Sequence, residues 1–287
     1  MSKPEDPLRN VSDTALWVAI YRAMESERPD ALFRDPFARL LGGTRGEEIV
    51  KLLPKGRASA WPMIVRTAVM DEIILSLIER DGIRTVVNLA AGLDVRPFRL
   101  PLPPSLRWLH VDLPPMIDYL RSGIGQAKPI CEVEFVPADL RSPDERARVL
   151  ERVAAGPPAL AVAEGLLIYL PPPQVADLAS ALAATPGLRW WVIDLAAPKL
   201  LKMLNKRWQP HLAAAGAPFV FAPPEGTAYF ARYGWKEASF NSLWDEAIRL
   251  HRTPRGAWFW NFIGPLIPRS KREEFRRMSG MVLLERA

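Results

Sequence analysis

From residue 83 onward the chain is punctuated by short apolar runs: Thr85–Ala90, Leu106–Val111, Val133–Val136, Leu160–Ala163 and Trp190–Ile193. Runs this short, with turns or helical stretches between them, are the pattern of strands in a parallel sheet covered on both faces. Prolines sharpen it. In LHVDLPP, LLIYLPPP and VIDLAAP they stand just behind the run, where they cannot continue a ladder but suit the first turn of a helix. The repeating unit is therefore strand, turn, helix.

The intervening and flanking segments read as helices. Ser12 or Asp13 is expected to cap a helix through TALWVAIYRAME, with Ala15, Val18, Ala19 and Ala23 on one face. A second is expected through DALFRDPFARLL, stopped by Gly42 and Gly43. WPMIVRTAVMDEIILSLIER carries an apolar stripe from Ile64 to Ile78 and ends at Asp81-Gly82. In RSPDERARVLERV, Ser142 is the cap, Pro143 the first helical residue and Glu145 the partner of a capping box. QVADLASALAA and KLLKMLNKRWQPHLAAA are further helices, and Trp235–Phe240 and Met281–Glu285 read as the last two strands, with a Trp-rich insertion between them. The expectation is a single α/β domain over 1–287. Residues 1–80 form a helical appendage, 83–197 the core, and 198–287 the insertions and final strands.

Composition narrows the function classes. Lys and Arg number 38 against 32 Asp and Glu, but the net charge of +6 is not gathered into a run, so no nucleic-acid footprint is expected. The single Cys131 rules out an internal disulfide and any multi-cysteine metal site, and no metal is expected. No stretch of about 18 uncharged apolar residues occurs, and MSKPEDPLRN has no apolar core for a signal peptide. A cytoplasmic protein without a membrane partner is the expectation.

In doubly wound sheets ligands lie beyond the carboxyl ends of the strands, so the residues just after each run are the candidates. NLAAGLDVR offers Gly92, where backbone can approach a ligand closely, and Asp94 on the turn. Asp112 in WLHVDLP stands 20 residues beyond Gly92, where a carboxylate can accept from both hydroxyls of a ribose. Asp139 in FVPADL can accept from an exocyclic amine, and Leu140 can pack on a purine. AEGLLIYL supplies Glu164, Gly165 and, a turn later, Tyr169. The turn lacks the glycine-rich phosphate cradle of a dinucleotide site, and Asp94 would repel a phosphate. An anionic turn suits a nucleoside bearing positive charge. S-adenosyl-L-methionine is such a ligand, and Arg66 is the candidate cation for its carboxylate.

TALWVAIYRAMESERPDALFRDPFARLLGG, VRTAVMDEII, NLAAGLDVRPFRL, HVDLP, ADL and AEGLLIYL follow one another here in the order seen in the leucine carboxyl methyltransferase-like family. That family comprises class I S-adenosyl-L-methionine-dependent O-methyltransferases, many of them bacterial and acting on secondary metabolites. The resemblance implies a Rossmann-like, seven-stranded fold with an N-terminal helical lid. It implies cofactor roles for Arg66 (carboxylate), Ala90 and Gly92 (methionyl backbone), Asp112 (ribose), Asp139 and Leu140 (adenine) and Glu164 (methionyl ammonium), and the neighbouring Asp94, Leu113 and Gly165 are further cofactor-binding candidates. Arg22 falls near the family's basic lid residue. The protein-phosphatase branch differs around its lid, so the resemblance does not extend to that substrate.

Simpler roles stand beside these. Asp112 and Asp139 can be helix or turn caps, Asp94 can stabilise its own turn, and Arg66 can pair with Asp71 or Glu72. His110 reads as a hydrogen-bonded core residue rather than a base. His211 and His251 lie in the C-terminal part, where His251 can face substrate or solvent. Trp235, Trp244, Trp258 and Trp260 can line an aromatic pocket or pack a core. For chemistry, a carboxylate acceptor needs no base, and few residues look like one, so a small-molecule carboxylate is expected to become a methyl ester. Arg22 would orient it and Tyr169 would shape the site. O-methylation of a phenol or enol, a methyltransferase fold catalysing a rearrangement or cyclisation, and a regulatory protein that has kept a nucleoside site remain open.

Overall fold

The computed structural model describes residues 12–53, 56–214, 218–254, 256 and 268–287. A seven-stranded sheet in the order β3-β2-β1-β4-β5-β7-β6 forms its centre. The strands are β1 (Thr85–Leu89), β2 (Arg107–Asp112), β3 (Glu132–Pro137), β4 (Ala159–Ala163), β5 (Leu188–Ala196), β6 (Trp235–Ser242) and β7 (Ser279–Arg286). The first five are parallel, while β7 runs antiparallel between β5 and β6. Crossing from β3–β2 to β4–β5 reverses the direction of winding beside β1, which opens a crevice above the carboxyl ends of β1 and β4.

Side chains of the central strands alternate between two cores. Val87, Leu109, Ala161, Trp191 and Ile193 face the helices α5 (Pro143–Ala154) and α6 (Pro172–Ala184). Val86, Trp108, Leu160 and Val192 face α3 (Trp61–Asp81) and α8 (Leu243–Arg249). Burying both faces is why these runs are continuously apolar. Met70 and Ile74 of α3 are 0% exposed, each contributing about 1.5–3 kcal/mol of burial. The prolines act as expected: α4 (Pro114–Ile124), α6 and α7 (Pro198–Ala214) all begin on one.

Three expectations about local structure are corrected. The helix drawn over 30–41 is instead α2 (Ala38–Leu52). Pro36 cannot sit inside a helix, and the buried carboxylate of Asp35 accepts the Phe37 N–H at 3.0 Å and starts the helix just beyond. Nor do Gly42 and Gly43 stop it; the helix kinks at Gly43 and runs on. Gly42 and Gly46 serve close packing on α1 (Ser12–Ser26), since a Cβ at Gly42 would fall 2.5 Å from Ile20 Cδ1, and one at Gly46 2.8 Å from the Leu16 carbonyl oxygen. Glycine costs a helix about 1 kcal/mol per residue, which the interhelix packing offsets. The capping box at Ser142 is only half formed: Ser142 accepts from Glu145 N at 3.4 Å, but the Glu145 carboxylate takes the Asp139 N–H at 2.7 Å.

Between β6 and β7 the described structure is α8 and α9 (Arg269–Arg276). Trp258, Trp260 and the side chain of His211 lie outside the described residues. Trp235 is core, packed on Trp191 at 5.5 Å and donating to the Ala179 carbonyl. No described helix is long and apolar enough to cross a membrane.

Candidate active site

β1 does not reach Ala90 as an extended strand, because Ala90 adopts φ +50° and Gly92 φ +55°. A left-handed alanine costs about 1–2 kcal/mol and persists only where its surroundings hold it. Here they do, from three sides. Asp112, at the end of β2, accepts the Gly92 N–H through Oδ2 at 2.6 Å and the Leu113 N–H through Oδ1 at 2.7 Å. His110 Nε2 donates to the Gly92 carbonyl at 3.2 Å. Asp94 accepts from Asn88 Nδ2 at 2.6 Å, from the Arg96 backbone N–H at 2.8 Å and from Arg96 Nη1 at 2.8 Å. Burial pushes the Asp112 carboxyl above its ordinary value and His110 down to about 4. Burial raises Asp94 as well, but the Arg96 guanidinium outweighs it and holds the group below the usual range.

A second cluster sits where β4 and β5 end. Glu164 accepts from Arg66 Nε at 3.0 Å and pairs with Arg96 Nη2 at 2.8 Å. Asp194, on β5, accepts the Gly165 N–H at 2.6 Å and Arg66 Nη1 at 3.0 Å. Burial alone would raise Glu164, yet Arg96 and then Arg66 bring it down to about 2, so it is a carboxylate at neutral pH. Gly165 has φ +67°, and a Cβ there would lie 3.2 Å from Arg66 Nη1. Beneath both clusters Asp71 pairs with Arg96 and Arg99. Four carboxylates (Asp71, Asp94, Glu164, Asp194) thus face three guanidiniums (Arg66, Arg96, Arg99), an excess of negative charge that Asp112 increases.

The residues expected from the sequence to bind cofactor or serve the chemistry all line one cavity of about 1000 Å³: Arg22, Arg66, Ala90, Gly92, Asp94, Asp112, Leu113, Asp139, Leu140, Glu164, Gly165 and Tyr169. Several are engaged in ways the sequence did not foretell. Arg66 pairs with Glu164 and Asp194, not with Asp71 or Glu72. Asp139, at the end of β3, is held by Arg141, whose hydrogen bonds keep its carboxyl below the usual range. Arg22 donates from Nε to Asp35 at 2.8 Å and from Nη2 to the Leu93 carbonyl at 2.6 Å, tying α1 to the loop after β1. The Tyr169 hydroxyl bonds Thr14, and burial pushes its pKa up to about 12. His251 is exposed, away from the cavity, and Cys131 is a buried thiol raised to about 11.

Asn88, Arg96 and Asp194 were not foreseen. Asp194 follows the fifth apolar run just as Asp112 follows the second, so the same rule extended by one strand would have found it. Arg96 stands inside AGLDVR, but its burial at 2% exposure among carboxylates is a tertiary fact.

The donor set fits a sulfonium nucleoside. The carboxylates of Asp112, Asp139 and Glu164 stand at the ends of β2, β3 and β4. Bare backbone is presented at Gly92 and Gly165, and five acids and five arginines are interleaved among the described lining residues. Arg66 spends Nε on Glu164 and Nη1 on Asp194, and the buried Thr67 hydroxyl, also at the cavity wall, has no hydrogen-bond partner among the described residues.

Comparison with known proteins agrees. Residues 15–183 match the family model described as leucine carboxyl methyltransferase. A protein of Streptomyces coelicolor is 32% identical over 259 residues (83% of this chain, 87% of the relative), and one of Streptomyces avermitilis is 32% identical over 253 residues (83% and 87%). Each is named a "putative S-adenosyl-L-methionine-dependent methyltransferase". Among solved structures, a protein from Thermobifida fusca described as a "putative methyltransferase" superposes with TM-score 0.59 at 15% identity (98% of this chain, 96% of that one). A DUF574 family protein from Streptomyces avermitilis gives 0.58 at 14% (94% and 97%). At that identity they establish the fold alone. The chain belongs to the leucine carboxyl methyltransferase family and is an S-adenosyl-L-methionine-dependent methyltransferase.

Proposed function

We propose that the chain methylates the oxygen of a small-molecule carboxylate, a secondary metabolite, to give a methyl ester. The observation that carries this reading is that no described residue lining the cavity is a group poised to take a proton: Asp112 already accepts the Gly92 and Leu113 N–H groups, and Asp94 and Asp139 are held by Arg96 and Arg141. Tyr169 holds its own proton to about pH 12. His110 does not line the cavity and spends Nε2 on the Gly92 carbonyl. Glu164 and Asp194 are each held by arginine. A hydroxyl acceptor needs such a group, whereas a carboxylate arrives already ionised.

Bound S-adenosyl-L-methionine supplies an electrophilic methyl on a positively charged sulfur and leaves as S-adenosyl-L-homocysteine. Asp112 would accept from the ribose, Asp139 from the adenine amine beside Leu140, and Glu164 from the ammonium. Arg66 would donate to the cofactor's carboxylate. The acceptor oxygen forms its bond to the methyl carbon as the carbon–sulfur bond breaks, and the electron pair stays on sulfur, so no proton moves. The residues' task is then to hold the acceptor in line at about 3 Å and to exclude water. Arg22 would act through the Leu93 loop it clamps, since two of its donors are already engaged. The test is mass spectrometry of reactions with a panel of acids and phenols. A gain of one methyl on acids, with S-adenosyl-L-homocysteine formed in equal amount, supports the reading. Methylation confined to phenols would overturn the carboxylate assignment.

A further inference from the structure

The cavity has two chemically different ends. The acids and guanidiniums belong to α1, α3 and the loops after β1 to β5. In contrast, among the described side chains of residues 198–206, 218–254 and 268–287 no charged one lines it. Those residues contribute Met203, Phe219, Trp244 and Phe275, and Trp17 of α1 and Trp61 of α3 join them. Two ring walls result. Trp61 stands edge-to-face with Trp244 at 6.3 Å and 84°, and Trp244 with Phe275 at 5.6 Å and 75°. In a second group Tyr169 meets Phe219 at 5.3 Å, and both pack with Trp17 and Leu204 against Ile49 and Leu53. All of these rings except Trp17 and Trp61 belong to elements that follow β4, β5 and β6 in the chain, on the side of the switch point away from Asp112 and Asp139.

Resting on the cofactor placement proposed above, we infer that the acceptor is a planar, fused-ring or biaryl acid with an uncharged body, seated between these walls and presenting its carboxylate towards the β4–β5 end. The cavity supports this by its size. At about 1000 Å³ it lies at the top of the range of roughly 300–1,000 Å³ that encloses one drug-sized ligand, leaving room for a ring system beside the cofactor. The described wall residues are uncharged, which disfavours a polyhydroxylated or multiply charged body that would lose water with nothing among them to replace it. Trp61, Tyr169, Phe219 and Trp244 are half-buried and Phe275 is exposed, so these rings keep uncovered surface, and each ring stacked on such a face adds roughly 2–12-fold in affinity beyond its area.

Calorimetry on the wild-type chain saturated with S-adenosyl-L-homocysteine tests this with 2-naphthoic acid, hexanoic acid and gluconic acid. The expected result is naphthoate binding at least about tenfold tighter than hexanoate, and gluconate weaker than either. Trp244→Leu, and separately Trp61→Leu, should reduce that preference to about threefold or less while leaving the S-adenosyl-L-homocysteine affinity within about twofold, which also certifies the fold of each variant. Equal binding of naphthoate and hexanoate, or a preference untouched by both substitutions, overturns the inference. Ester formation is read separately on the same acids. Methyl esters on hexanoate as readily as on naphthoate sink the aromatic selectivity and leave the carboxylate reading standing. Selective naphthoate binding with no ester on any acid does the reverse.

Discussion

Asp112 Oδ2 accepts the backbone N–H of Gly92 at 2.6 Å, joining the end of β2 to the left-handed turn after β1. One carboxylate therefore shapes the turn and also faces the cavity where a ribose would lie. Asp112→Ala should weaken S-adenosyl-L-methionine binding by about 1.5–3 kcal/mol in calorimetry, the scale of losing charge-assisted hydrogen bonds. Asp112→Asn should also weaken it, because an amide cannot accept from Gly92 N and Leu113 N at once. Unchanged affinity in both variants removes Asp112 from the ribose role.

Tyr169 is expected to be dispensable for proton transfer. Its hydroxyl bonds Thr14 and stays protonated to about pH 12. Tyr169→Phe should therefore lower kcat by less than about tenfold, against the 10²–10⁴-fold typical of losing a general base. A larger loss, accompanied by a shifted pH–rate profile, would assign Tyr169 to the chemistry.

His110 should make the fold acid-sensitive in a defined window. Buried and neutral, it titrates at about 4 in the folded chain, against 6.5 as its ordinary value. The unfolded chain binds the extra proton between those values, so this contribution is complete above about pH 6.5 and falls away as the pH drops towards 4. Glu164, lowered to about 2, contributes above its ordinary 4.5 and loses that contribution only below it. Urea melts at pH 7.5, 5.5 and 4.5 should show a decline between the first two that His110→Gln abolishes.

The α1–α2 contact depends on bare backbone at Gly46. Gly46→Val should destabilise the chain by about 1–3 kcal/mol by overpacking against the Leu16 carbonyl and Ile20. It should also weaken cofactor binding, since Thr14, Ala15 and Trp17 of α1 line the cavity. A melting temperature equal to the wild type would contradict that packing.

Arg252 reaches back 227 residues to Glu25, whose side chain is 0% exposed. Arg252→Ala leaves that buried carboxylate with the Leu32 N–H and the more distant Arg28, and should cost about 1–3 kcal/mol in denaturant melts. Combining it with Glu25→Gln should recover part of the loss, and no recovery would mean that the charge is not the cause.

The doubly wound core was legible because its physics is local. A strand covered on both faces has to be continuously apolar, and a proline behind it can only begin a helix, so β1 to β5 and the starts of α4, α6 and α7 could be read residue by residue. The acids at the ends of β2, β3 and β4 followed from the same rule. Asp194 escaped only because the rule was not carried to the fifth run. The second helix was misplaced because glycine has two uses, ending a helix or letting another helix approach. Only Ile20 and Leu16, 22 to 30 residues away in sequence, decide between them at Gly42 and Gly46.

By itself, the order of residues determined the sheet, the strand-end acids and the family, since periodicity and short motifs are properties of neighbours along the chain. Which charges meet was decided by the tertiary structure: Arg66 between Glu164 and Asp194, Arg96 among three carboxylates, Arg22 on the Leu93 carbonyl. The reason is that a buried guanidinium takes its partners from whatever carboxylates the fold brings within about 3 Å, and separation along the chain carries no information about that distance.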